Sequence, residues 1–110
     1  MAASSKVNGT QTAVIGTEHT LNAVTDAGTY QLKVDLVNMA AADQVILRVK
    51  AKVLTAGTIR TIWSGAYEEA APTDGMVTVS IPLLCPFGAT FTLQQVAGTG
   101  RNFDWSVDQP

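Results

Sequence analysis

Apolar and polar residues alternate with a period of two along most of this chain, and that pattern constrains its fold more than any other feature. Tyr30, Leu32, Val34 and Leu36 fall on one side of an extended backbone, with Gln31, Lys33 and Asp35 on the other. Successive side chains of a strand project to opposite faces, so the pattern specifies a strand with one face buried. Val45, Leu47, Val49, Ala51 and Val53 form a second such face, opposed by Arg48, Lys50 and Lys52. A helix through Val45, Val49 and Val53 would leave Ile46 and Leu47 off its stripe, so a strand is the better reading. The two runs are separated by Asn38–Asp43, which reads as one helical turn capped by Asn38.

The same pattern continues through the rest of the chain. Thr55-Ala56-Gly57 marks a hairpin turn, after which Ile59, Thr61, Trp63 and Tyr67 alternate with Arg60, Ile62, Ser64 and Glu68, and Gly65 reads as a bulge or bend. Residues 69–75 form a loop by their Pro and Asp-Gly content. Val77, Val79 and Ile81 make a short strand stopped by Pro82. Phe91, Leu93 and Gln95 alternate with Thr90, Thr92 and Gln94; Gly98-Thr99-Gly100 turns the chain; Phe103, Trp105 and Val107 close it. Two weaker strands, near Thr12–Ile15 and His19–Val24, come first. About eight strands at this spacing predict an all-β fold, an antiparallel β-sandwich of jelly-roll-like or Ig-like type, with the helical turn near residues 38–43. At 110 residues the chain forms one such domain over residues 11–110. Residues 1–10, small, polar and unpatterned, read as an N-terminal arm.

Composition narrows the function classes. Charged residues make up 15% of the chain against 46% hydrophobic, where an ordinary soluble domain carries about 25% charge. A net charge of −2 without a basic cluster excludes nucleic acid as the main partner, because phosphate neutralisation needs clustered Lys and Arg. No apolar run approaches the roughly 20 residues of a membrane-spanning helix. Met1–Lys6 lacks the apolar core of a signal peptide, so synthesis in a host cytoplasm is expected. Cys85 stands alone, which excludes an intramolecular disulfide and favours a buried small hydrophobe.

Chemistry-bearing groups are sparse. His19 is the single histidine, so neither a triad nor a zinc site can be assembled around it and Cys85. Glu68, Glu69 and Asp74 read as a solvated rim and lack calcium-loop spacing. Gly98-Thr99-Gly100-Arg101 opens a strand, whereas a phosphate loop opens a helix. Trp63, Tyr67, Phe103 and Trp105 fall at strand spacing, which makes core the first reading and a sugar-stacking platform the second. No catalytic, cofactor-binding or metal-ligating set is expected, and no small-molecule substrate.

Surface character is more informative. Outward strand positions carry Thr, Ser, Gln and Ala where a lone sandwich would use the charges that keep sheets from sticking to neighbours. Leu83-Leu84-Cys85-Pro86-Phe87 is apolar where loops are normally polar. Ala2, Ser4, Lys6 and Val7 of the arm, Leu83, Leu84, Pro86 and Phe87 of the loop, and Trp63 and Tyr67 are therefore the candidate interface residues.

Three stretches, Glu18–Leu21, Ala27–Leu36 and Gln94–Trp105, resemble small structural proteins of tailed bacteriophages, and the similarity extends from about residue 13 to residue 107. The resemblance implies a virion component: a capsid cement or decoration protein whose β-sandwich clamps the head shell, with the major capsid protein and copies of itself as partners. A tail or head–tail joining protein is the alternative within that class, and a carbohydrate-binding module through Trp63, Tyr67 or Trp105 is the alternative outside it.

Overall fold

The computed structural model describes residues 4–40, 42–68, 77–80 and 82–109. Nine strands follow one another: β1 (Ser4–Thr12), β2 (Glu18–Val24), β3 (Gly28–Asp35), β4 (Gln44–Ala51), β5 (Arg60–Glu68), β6 (Val77–Val79), β7 (Leu83–Cys85), β8 (Ala89–Ala97) and β9 (Asn102–Gln109). They form two antiparallel sheets, one in the order β1-β9-β3-β6 with β7 also on β3, the other in the order β2-β8-β4-β5. Strands β6 and β7 run along the same edge of β3, pairing with Lys33–Asp35 and Gly28–Tyr30 respectively. Between them the Ser80 hydroxyl accepts the Leu32 amide while the Ser80 amide donates to the Leu32 carbonyl. With β6 and β7 counted as one interrupted strand, this order is that of a jelly roll, which decides between the two sandwich types.

The alternation in sequence is the alternation in space. Tyr30, Leu32 and Val34 of β3 and Phe103 and Val107 of β9 face Val45, Leu47 and Val49 of β4 and Phe91 and Leu93 of β8; all are at most 1% exposed. Each such side chain contributes about 1.5–3 kcal/mol by leaving water. Tyr30 meets Phe91 edge-on, with ring centroids 6.1 Å apart, across the two layers. Its hydroxyl donates to the Asp26 carbonyl, so the polar tip of this buried ring is satisfied.

Several expectations change. The segment read as an arm is strand β1 from Ser4 onward, hydrogen-bonded along β9, with Val7 packed on the core. It lacks apolar alternation because it is an edge strand, where Gly9 leaves room for the Trp105 ring and Asn8, Thr10 and Thr12 are exposed. Ala2 lies outside the described residues. Among the described residues of 38–43 no helix is formed: Ala42 adopts φ +74° and Asp43 turns inward, which ends any helical path there. The bulge in β5 falls at Ile62, opposite the register shift between Val49 and Lys50. Gly65 instead pairs regularly with Leu47 and lies beneath the Trp63 and Tyr67 rings. Val53 is 78% exposed, because β4 ends at Ala51 and the chain has already entered the hairpin turn. Val14 and Ile15 likewise lie in an exposed turn rather than a strand. The loop at 69–75 and Ile81 lie outside the described residues.

The end of β4 can be tested directly. Val49→Asp should abolish cooperative folding by placing a carboxylate in the core. Val53→Asp, four residues on, should shift the unfolding free energy by no more than about 0.5 kcal/mol in urea titrations.

Candidate interaction surface

Several of the polar and reactive groups singled out in the sequence have partners within the fold. His19 Nε2 accepts the Val14 amide at 3.0 Å and fastens the turn between β1 and β2. Cys85 is 1% exposed, and burial pushes its thiol above the usual range, the reverse of what a reactive thiolate needs. In the Gly98–Arg101 turn, the Thr99 amide donates to Asp43 Oδ1 and the Arg101 amide to Gln95 Oε1. Two amides that a phosphate would require are therefore already engaged. Phe103 is fully buried, and Trp63, Tyr67 and Trp105 pack against the core. These four rings do not assemble into an outward platform. Glu68 accepts a hydrogen bond from Gln44 at the end of β5, while Glu69 and Asp74 lie outside the described residues. Among the described residues, no three His, Cys, Asp or Glu side chains come together as metal ligands.

Two polar clusters were not legible in the sequence. Asp43, wholly buried, takes the Ala40 amide at 2.8 Å and the Arg101 Nε at 2.9 Å on Oδ2, and the Thr99 amide at 3.1 Å on Oδ1. Burial alone would raise its pKa, but the Ala40, Thr99 and Arg101 hydrogen bonds and the guanidinium charge outweigh it and hold the carboxyl below the usual range. Gly98, at φ +93°, lies so close to Asp43 that a Cβ would overlap its carboxylate. Buried Gln95 closes the same turn by donating to the Ala97 and Thr99 carbonyls. This clasp joins the entry to β4 with the β8–β9 connection.

The second cluster lies on the outer face of the β2-β8-β4-β5 sheet. Glu18 Oε2 accepts from Thr92 Oγ1 at 2.7 Å, Lys50 Nζ at 3.0 Å and Arg48 at 3.1 Å. The Thr92 hydroxyl, then Lys50 and Arg48, lower the Glu18 pKa against an opposing burial effect. Both cations of this cluster thus share one carboxylate within the sheet. Around them Thr20, Ala23, Thr61, Ser64 and Ala66 are exposed, so the expectation of a weakly charged outer face describes this sheet.

One end of the sandwich gathers most of the interface candidates. The start of β1, the end of β9, the β2–β3 turn, the β4–β5 hairpin and the β7–β8 turn all meet there, as the strand registers require. Lys6 Nζ reaches Asp26 Oδ2 at 3.3 Å and lies 5.9 Å from the Tyr30 ring centre, which ties β1 to this end. Leu83 and Cys85 turn inward, whereas Leu84 is 81% exposed and Pro86 and Phe87 face solvent. Ile59 and Phe87 line one cleft of about 140 Å³ between the hairpin and the β7–β8 turn. Val53 and Leu54 extend the apolar surface along the hairpin tip. Those two were missed because the alternation was continued through Val53; an apolar pair directly before Thr55-Ala56-Gly57 was the available signal. Of the other candidates, Ser4 opens β1 at this end, Val7 is packed inward, and Trp63 and Tyr67 lie along β5.

Comparison with protein-family models, with characterised proteins and with solved structures finds no significant match to this chain.

The Asp43 clasp makes stability sensitive to acid. Because the folded carboxyl has the lower pKa, its contribution is fully present above about pH 4 and is lost as pH falls through the folded value. Asp43→Asn should lower the unfolding free energy by about 3 kcal/mol at pH 7 and flatten this acid dependence in urea titrations across pH 2–7. Cys85 should resist a thiol reagent in the folded protein and react fully once denaturant is added.

Proposed function

We propose that this protein is a structural component of a bacteriophage virion, a capsid cement or decoration protein that binds the head shell and associates with copies of itself. The single observation that carries this reading is the apolar end formed by Leu84, Phe87, Val53, Leu54 and Ile59, which range from 36% to 81% exposed. Isolated apolar side chains on a surface are ordinary, but a cluster contributed by separate turns marks an interaction site. These exposed apolar side chains are suited to lying against another protein. The jelly roll agrees with this reading by analogy, since viral capsid domains use that architecture, although the fold by itself assigns no function. The sequence resemblance to small phage structural proteins points the same way.

On this reading each copy contributes a modest contact, and repetition over a shell multiplies it. Attachment belongs to the apolar end rather than to a free arm, because Lys6, Val7 and Gly9 are committed to the domain. A tail or head–tail joining role uses the same surface at a different copy number.

Leu84→Asp tests the reading. With Leu84 so exposed, the substitution should leave the thermal midpoint unchanged while reducing co-sedimentation with purified shells about tenfold or more. Hundreds of copies per particle are expected by quantitative gel analysis, whereas a dozen or fewer would assign the protein to the connector or tail. Undiminished shell binding by the Leu84→Asp protein would remove the apolar end from the attachment site.

A further inference from the structure

The cleft between the β4–β5 hairpin and the β7–β8 turn differs from the rest of the apolar end in its charge. Ile59, Phe87 and Ala89 line it together with Lys50 and Lys52, and among the described residues no carboxylate does. Alternate residues of a strand recur on one face about 7 Å apart. Arg48 and Lys50 therefore share the outer face of β4, and Lys52 follows two residues on, just past the strand's end. Three cations thus stand near one carboxylate, Glu18, which Arg48 and Lys50 already engage. Asp26, next to the cleft residue Thr25, is paired with Lys6. Lys52 has no ion-pair partner among the described residues, since the salt bridges use Lys6, Lys33, Arg48, Lys50 and Arg101. The cleft is therefore cationic in a chain whose net charge is −2.

We propose that this cleft receives an extended acidic segment of another protein, with one apolar side chain against Ile59 and Phe87 and a carboxylate on Lys52. Its volume of about 140 Å³ suits a single benzene-sized side chain. The charge selects what flanks that side chain. An apolar residue alone would cover the cleft and leave the Lys52 ammonium unpaired beside it, whereas a neighbouring carboxylate satisfies it and excludes basic competitors. A nucleic acid strand is a poorer match, because a phosphate backbone needs clustered cations and Arg48 and Lys50 are already held by Glu18. The inference rests on attachment through the apolar end and names the chemistry of the partner there: an acidic stretch with one apolar residue.

Nitrogen–proton NMR correlation spectra of the full chain, titrated with an acetylated and amidated Ser-Asp-Leu-Asp-Ser peptide, test this. The amides of Ala23–Thr25, Lys50–Lys52 and Gly88–Thr90 should shift saturably, with a dissociation constant of about 1–5 mM at low salt. That constant should rise as salt screens the contact. Lys52→Glu should raise it about fivefold and Ile59→Ser about threefold. Lys52 is only partly buried and Ile59 is exposed, and unchanged thermal midpoints would verify that both variants fold. The same peptide with lysines in place of its aspartates, or glycine in place of its leucine, should leave these amides unmoved. Cleft amides that stay still, or that respond equally to the lysine peptide or to an oligothymidylate, would overturn the inference. So would cleft amides that move with protein concentration alone, which would assign the cleft to a second copy. In co-sedimentation with purified shells, Lys52→Glu should reduce binding about fivefold. Undiminished binding by Lys52→Glu alongside lost binding by Leu84→Asp would overturn the cleft and leave the apolar end as the attachment site. The opposite pair of results would support the cleft and remove Leu84 from attachment.

Discussion

Everything in this molecule depends on two apolar sheet faces being buried against each other. The inner residues of β3 and β9 can leave water only by meeting those of β4 and β8, and Tyr30 against Phe91 joins the layers at one end. The burial is collective. Neither sheet is stable alone, and the chain crosses repeatedly between them, so no strand can leave without exposing the inner face of the sheet opposite. The requirement also explains where polar freedom remains. Central strands are apolar on their inner faces, whereas β1, at an edge, tolerates Gly9 and Gln11 on its inward side.

The connections are held by a different kind of force. The Asp43 carboxylate collects two amides and a guanidinium, and Gln95 collects two carbonyls and an amide, so the loops at one end are fixed by buried, directional bonds. A buried carboxylate is tolerable only because its oxygens are met by donors. The two ends therefore differ in how they are held rather than in being polar or apolar. One end is clasped by buried polar bonds and also exposes Val14, Ile15 and Val37, while the other exposes Val53, Leu54 and Phe87 in its turns and Leu84 on β7.

The apolar end that carries the proposed role adjoins strand β5, because Ile59 directly precedes Arg60. The low charge content takes on a local meaning in this setting. Glu18, Arg48 and Lys50 on the outer face of the β2-β8-β4-β5 sheet are drawn into one cluster, which leaves Thr, Ser and Ala, with Glu68 at one end, at its surface.

The sequence by itself determined the all-β class, the location of most strands and the identity of the core, because strand periodicity depends only on neighbouring residues. Tyr30, Leu32, Val34, Val45, Leu47, Val49, Phe91, Leu93, Phe103 and Val107 were all readable in this way. The apolar loop at Leu83–Phe87 was readable too, since such composition is unusual in a turn. Tertiary structure alone decided that Ser4–Thr12 is a strand, as an edge strand next to β9 needs backbone partners rather than an apolar pattern. It alone brought Asp43 to Arg101 and Glu18 to Arg48 and Lys50, residues between 30 and 58 positions apart. It also chose the jelly-roll order and so left β5 at an edge. Those outcomes depend on which strands become neighbours, and no local pattern encodes that when the free energy comes from burying whole faces together.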